Sequence, residues 1–500
     1  MGDKGPHAPN ERRPTTTIAP VPNPSRPSRR FLLALAAICL VGAAIRLGFV
    51  FFEKQDPSIC SPAQIEQSIL QQATGKVPKF VGKAPDNICG DALVYHDGAN
   101  LLAEGEGFIS PIRWIYDDGV RFQSADHPPL YIVYLAGWSV IGADSVLAHQ
   151  LASVLLGVAT VALVGLLGRR LVNDRAGLIA AFLAAVYTYI WVNDALVMSE
   201  TISITAIAAL LLLTYRYLSD PTQWNLVWLG VITGLTVLTR AELALYVPIV
   251  LPFVVWWALG SRVRDVRADF GRLWRPWLVR TISVGVISVA VTAPWVVRNL
   301  VTFEKPVTLS TGLGITLTYA NCDATYNGPA LGWWSFPCLE PVPNEPDQSL
   351  DEVILRQRGV DYIKEHLGEV PKVVAARVGR VWNVFRPFQQ IEFDQYDDRP
   401  LWTSRLALAQ YYVLMPLAAV GAWVLHRRRQ LLWPLLSMYA IVTFTAATSY
   451  GSTRFRTTAE VATVVLAGIA LDRLWQWLSE RRSAAEVTPV PSGDGVDVRG

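Results

Sequence analysis

The chain has 500 residues, of which 52% are hydrophobic and only 17% charged, whereas a soluble chain carries about a quarter charged residues. Its 44 basic and 41 acidic residues leave a net charge of +3, too small for an electrostatic grip on nucleic acid. A mean hydropathy of +0.30, with apolar blocks long enough to cross a bilayer, predicts a polytopic membrane protein instead.

In chain order, residues 1–30 are rich in Pro, Thr, Ser and Arg and read as a disordered cytoplasmic tail. The first apolar block, Phe31–Phe52, is longer than a signal-peptide core and precedes no small-x-small cleavage site, so it reads as a retained span. Nine further spans follow at about 144–168, 175–191, 196–217, 224–239, 241–259, 280–300, 404–425, 431–449 and 459–477. The basic runs Arg29-Arg30, Arg169-Arg170, Arg262 to Arg275, Arg427-Arg428-Arg429 and Arg481-Arg482 then all fall on one side. Short basic loops stay in the cytoplasm, so both termini are expected there. The predicted plan is a membrane module over 31–300 with its outer loop at 53–143, and a second outer loop at 301–403. The last spans occupy 404–480, and a disordered cytoplasmic tail covers 481–500.

Four cysteines fall in these outward loops, Cys60 and Cys89 in the first, Cys322 and Cys338 in the second. An even number in an oxidising compartment suggests disulfides, most simply Cys60–Cys89 and Cys322–Cys338, with four free thiols as the alternative. In the second loop, "DEVILRQRGVDYIKEHLGEVPKVVAARVGRVWNVF" has apolar residues at mixed three- and four-residue steps. It predicts two amphipathic helices, broken near Pro371 and lying along the membrane surface. Trp333-Trp334 reads as an interfacial anchor.

Charges at span ends are costly and are functional hypotheses by default. On this threading Asp91, Asp194, Glu200, Arg240, Arg298, Asn299, Arg454, Arg456 and Glu460 collect on the outer side. A carboxylate can take a proton from a hydroxyl acceptor, and arginine forks can hold a phosphate as it leaves. No Walker loop or Rossmann glycine run offers a nucleotide seat, so a phosphate carried by a lipid fits better. No ligand spacing specifies a metal or other cofactor, and a divalent metal ion stays open.

Six pieces then form a recognisable order: "GDALVYHDGANLLAEGEGF", "DHPPLYIVYLAGW", "RAGLIAAFLAAVYTYIWVNDALVMSETISI", "GLTVLTRAELAL", "APWVVRNLVTFEKPVTLSTGLGITLTYAN" and "RFRTTAEVATVVLAGIAL". Together they resemble the GT-C membrane glycosyltransferases, in particular the branch of protein O-mannosyltransferases and the lipid A aminoarabinose transferase. The resemblance covers residues 31–325 well and the last two spans more loosely. It implies an all-α, GT-C-like bundle of about ten transmembrane helices with two large extracytoplasmic loops containing juxtamembrane helices.

By that resemblance Asp91 matches the acidic residue of the first outer loop and is the expected base, with Tyr95 and Ala99 completing "D-x3-Y-x3-A". His127, Pro128, Pro129 and Tyr131 match the juxtamembrane "PPLY" segment, and Glu200 the acidic "SE" position. Arg240, Arg298, Asn299 and Asn321 match polar positions lining the cavity, and Arg454 and Arg456 the basic residues after span nine. Asp194 is a further expected substrate contact. The chain departs from the protein mannosyltransferases in having Asp91-Ala92 for an acidic pair and in lacking a proline after Arg456.

The expectation is therefore a cell-membrane glycosyltransferase that moves a hexosyl or pentosyl group from a polyprenyl-phosphate donor to a glycan, lipid or protein acceptor. Transfer would occur on the extracytoplasmic face, with inversion, and membrane lipid would be its surroundings. A lipid-linked sugar flippase or transporter is the main rival, and a non-catalytic assembly subunit the second.

Overall fold

A computed structural model of the chain describes residues 26–53, 88, 90–260 and 266–487. Among these the regular structure is helical, apart from one isolated antiparallel bridge between Ile109 and Gln123. Seven helices among the described residues are long and apolar enough to cross a membrane. They are α1 (Arg29–Phe52), α4 (Val146–Leu171), α6 (Glu200–Ser219), α8 (Ala241–Ala258), α9 (Val266–Thr302), α12 (Leu401–Arg427) and α14 (Thr453–Val487). The smaller helices between α1 and α4 include α2 (Gly90–Ala103) and α3 (Leu130–Ser139). The other helices at predicted spans are α5 (Asp174–Val186), α7 (Gln223–Val237) and α13 (Trp433–Thr448). Each predicted span thus has its helix, although α7 and α13 have only 15 and 16 residues.

Local chemistry starts these helices where the apolar blocks begin. The side chains of Ser28, Ser145, Asn173 and Thr222 accept backbone N–H groups at the first turns of α1, α4, α5 and α7, satisfying donors that a helix start leaves open. The hairpin of α4 and α5 closes through small residues. A Cβ added to Gly177 would run into the Gly165 carbonyl and lie 2.8 Å from the Arg169 nitrogen, so only glycine allows this approach. The final helix threads the middle of the bundle and packs on α5, α6, α12 and α13, with Ala459–Ala470 buried.

Three features differ from the sequence expectation. The third predicted span does not run straight. It breaks at Tyr187 (φ −75°, ψ 115°) and resumes as Thr188–Ala195 at a bend of 64°. The Gln410 side chain patches the break, accepting from Thr188 N (2.9 Å) and donating to the Val186 carbonyl (3.0 Å). In an apolar bundle a broken ladder persists only if its backbone groups find such partners. The last helix starts at Thr453, so Arg454 and Arg456 lie in its first turns, and it continues to Val487 because "SERRSAAEV" holds no breaker. Trp333 is no interfacial anchor. It is buried against Trp334, Phe393 and Tyr450, since the second loop builds a small core of its own.

That loop contains the two amphipathic helices, α10 (Gln348–Glu365) and α11 (Val370–Val381). Pro371 sits in the first turn of α11, where its missing N–H costs nothing, so the break falls just before it. Cys322 and Cys338 are joined by a disulfide with a Cα–Cα distance of 5.6 Å. The expected Cys60–Cys89 pair lies outside the described residues.

Candidate active site

Gly90 turns the chain into α2 at φ +55°, a left-handed conformation that costs glycine nothing, and Asp91 follows in the first turn. Asp91 Oδ2 accepts from Arg454 Nη2 at 2.8 Å, and Oδ1 lies 3.6 Å from His127 Nε2. Glu200 opens α6 just after Val197, a buried β-branched residue held at φ +53°. Such strain persists only where its surroundings enforce it. Glu200 Oε1 accepts from Arg454 Nε (2.7 Å) and Arg240 Nη1 (3.2 Å). Arg454 Nη1 donates to Asp397 Oδ1 (3.1 Å), and Arg240 Nε to Glu242 Oε1 (2.6 Å). Arg454 is therefore a hub, held by acids from α2, α6 and the turn Asp394–Asp397.

Tyr95 lies one turn beyond Asp91 on the same face of α2. Its hydroxyl donates to Ser199 Oγ at 2.9 Å, and its ring stands 5.0 Å from His127 and 5.2 Å from Tyr131. Ala99, one turn further, is completely buried, so the D-x3-Y-x3-A spacing seats α2 as well as presenting the acid. Tyr131 pairs through its hydroxyl with Ser153 at 2.7 Å and supports Tyr95 from below.

Electrostatics divide the acids. Burial would raise Asp91, but Arg454 and His127 outweigh it and hold the carboxyl well below the usual carboxylate range. Burial lifts Asp397 to about 6 despite the opposing pull of Arg454 and Arg399. His127 would be lowered by burial, yet the Asp91 charge beside it raises it overall. The Tyr95 hydroxyl is pushed up by burial and by the charges of Asp91 and Glu200.

The structure gathers Asp91, Tyr95, His127, Glu200, Arg240 and Arg454 around this hub, with Tyr131 just behind. It does not gather the other residues expected there. Arg298 donates to the carbonyls of Phe108 (2.9 Å) and Ser124 (3.0 Å), to Gln123 Oε1 (2.6 Å) and to Asn299 Oδ1 (3.0 Å). It braces the first loop, while Asn299 donates to the Thr308 carbonyl (2.8 Å). Asn321 accepts from Tyr326 (2.8 Å) and Arg377 (2.9 Å) inside the second loop. Asp194 is buried at the bend after α5, bonded to Arg46 Nε (2.5 Å) and Thr201 (2.8 Å). Arg456 points into the bundle, bonded to Glu460 Oε1 (2.7 Å) with its guanidinium 3.8 Å from the Tyr411 ring centre. Two residues along a helix from Arg454, it faces another direction. Each of these groups is engaged in holding elements together, which is why none reaches the hub.

Sequence reasoning missed Asp397, with Asp394 and Arg399 beside it. Thr453 bridges the last two, donating to Asp394 Oδ1 (2.7 Å) and accepting from Arg399 Nη1 (3.2 Å). The signal was present in "DQYDDRP", a dense charge run directly before a span, of the same kind that drew attention to the first loop. A divalent ion needs several oxygen donors converging on one point. Here Asp91, Glu200 and Asp397 each direct an oxygen at Arg454, and no group of three His, Cys, Asp or Glu among the described residues could hold a metal. The acids of this cluster, among the described residues, are thus aimed at a guanidinium and not at a shared metal position.

The described chain is a helical bundle with seven helices long and apolar enough to cross a membrane, and it carries its ionised cluster at the ends of those helices. Residues 126–295, about a third of the chain, match the family model described as dolichyl-phosphate-mannose-protein mannosyltransferase, upholding the resemblance to the mannosyltransferase branch. No curated protein sequence matches the chain significantly.

Among solved structures, the Archaeoglobus fulgidus oligosaccharyltransferase AglB, in complex with an inhibitory peptide and a dolichol-phosphate, is 14% identical with a TM-score of 0.47. That alignment covers 94% of this chain and 52% of AglB, so the chain spans about half the length of that relative. ArnT from Cupriavidus metallidurans bound to undecaprenyl phosphate is 14% identical with a TM-score of 0.38, over 93% of this chain and 82% of its own.

Proposed function

We propose that this protein transfers a sugar from a polyprenyl-phosphate donor to a hydroxyl-bearing acceptor on the extracytoplasmic face of the membrane, with inversion at the anomeric carbon. Asp91 takes the proton of the acceptor hydroxyl as its oxygen bonds to the anomeric carbon. The bond from that carbon to the phosphate oxygen breaks, its electron pair leaves with the lipid phosphate, and the arginines stabilise that anion. One base and one anion clamp suffice for inversion, with no second carboxylate required as a nucleophile. Glu200 acts through Arg454 and Arg240, fixing both guanidiniums.

The observation that carries this reading is the single contact network of Asp91, Arg454, Glu200 and Arg240, drawn from segments hundreds of residues apart. Glu200 Oε2 and Asp397 Oδ2 are buried and meet no donor among the described residues, leaving acceptors for sugar hydroxyls. Purified protein in lipid vesicles, given polyprenyl-phosphate sugars and acceptor fractions, tests the proposal. Asp91→Asn should insert normally and lower transfer by about 10²- to 10⁴-fold; undiminished transfer rejects the assignment.

One feature favours the transporter reading, the span bent by 64° beside the buried Arg46–Asp194 pair, since transporters build sites at broken helices. That pair is already bonded by the Gly42 carbonyl and by Thr201, as a structural joint would be. Vesicles loaded with lipid-linked sugar separate the two readings, because a flippase moves lipid without forming a glycosidic bond.

A further inference from the structure

Arg454 has three nitrogens, and each donates to a different carboxylate: Nε to Glu200, Nη1 to Asp397 and Nη2 to Asp91. Three of its five N–H groups are thereby taken and a carboxylate faces each of its nitrogens, so a phosphate approaching its fork meets like charge. A phosphate seated on Arg454 would sit against these acids, and the one most easily displaced would yield to it. The three acids are not equal in this respect. The Glu200 side chain is 0% exposed and shared with Arg240, and Asp397 is 9% exposed. Asp91 is 31% exposed, and His127 stands on its other oxygen ready to keep it paired. Releasing either buried acid would strand a charge away from water, whereas Asp91 can turn toward solvent and His127.

We infer that Asp91 and the donor phosphate compete for Arg454, so that donor binding is what releases Asp91 to act as a base. This rests on the proposed function and adds an order to it. While Asp91 is latched, its Oδ2 is turned to Arg454 and its basicity is suppressed by the adjacent guanidinium, so an acceptor that arrives first meets a poor base. A phosphate entering from the lipid side takes the Nη2 position, Glu200 and Asp397 keep Arg454 in place, and Asp91 is freed beside the acceptor hydroxyl. No bond is made or broken in this exchange; one anion replaces another on the same cation. The site is thereby guarded against activating water or acceptor in the absence of donor.

The test is the affinity of the protein for undecaprenyl phosphate in lipid nanodiscs, measured for the wild type, Asp91→Asn and Arg454→Gln. If the acid competes with the phosphate, Asp91→Asn should bind about three- to tenfold more tightly than the wild type, and Arg454→Gln should bind weakly. Equal or weaker binding by Asp91→Asn, with the wild type binding normally, overturns the latch and leaves the transferase reading standing. No binding by either protein sinks that reading and the latch with it. Hydrogen exchange on the wild type provides a second measurement that needs no variant. Undecaprenyl phosphate should loosen the first turn of α2, which loses its contact with Arg454, and unchanged or greater protection there also overturns the inference.

Discussion

Arg454 Nη2 lies 2.8 Å from Asp91 Oδ2, joining residues 363 positions apart in the chain. The same guanidinium holds Glu200 and Asp397, so its geometry matters as much as its charge. Arg454→Lys keeps the charge but offers a compact ammonium that cannot serve three acids in a fixed fork. Transfer should fall by at least about tenfold, with membrane insertion retained. Arg454→Ala should in addition lower thermal stability, because it leaves buried Glu200 and Asp397 short of a partner, at a cost of about 3–5 kcal/mol. Thermal unfolding of both variants in detergent checks this, and a fully active lysine variant would refute the fork requirement.

Asp397 should make stability depend on pH. Its folded-state value of about 6 exceeds that of a free carboxyl, because burial outweighs the attraction of Arg454. Between roughly pH 4 and 6 the native state therefore binds more protons than the unfolded chain. Stability from this group is fully present below the unfolded value and is lost as pH rises through 6. Asp397→Asn should flatten that window in a plot of melting temperature against pH, and an unchanged slope would show that another group is responsible.

The Arg46–Asp194 pair joins α1 to the bend after α5. It is buried, and removing one partner strands the other, at a cost of about 3–5 kcal/mol. Asp194→Asn should accordingly lower the melting temperature and the yield of folded protein, with KM for donor unchanged in the fraction that folds. A raised KM with unaltered stability would return Asp194 to the substrate site.

The Cys322–Cys338 bond closes a segment with a sequence separation of 16, for which loop entropy gives about 3 kcal/mol. The double serine variant should destabilise the second loop by that order, measured as faster proteolysis between Gly312 and Phe336, while Asp91, Glu200 and Arg240, on other elements, keep their places. Equal protease resistance would mean that the loop's aromatic core suffices.

The sequence was most informative where the signal is local. Ten apolar blocks and the amphipathic pattern of α10 and α11 each state their own structure, because helix formation and membrane length are properties of consecutive residues. It also supplied Asp91, Glu200, Arg240 and Arg454 as acids and bases at span ends. It could not separate Arg454 from Arg456, which sit two positions apart and differ only in the direction a helix gives them. It passed over Asp397, which becomes part of the hub only when the second loop folds back onto the start of α14.

Composition and periodicity by themselves thus determined a polytopic helical membrane protein with charged residues at the ends of its spans, since burying or solvating a side chain is decided residue by residue. Which of those charges meet was decided by the tertiary structure alone. Ion pairing falls off within a few ångströms, and the Gly165–Gly177 approach, the bend at Tyr187 and the return of the second loop set those distances between segments far apart in the chain.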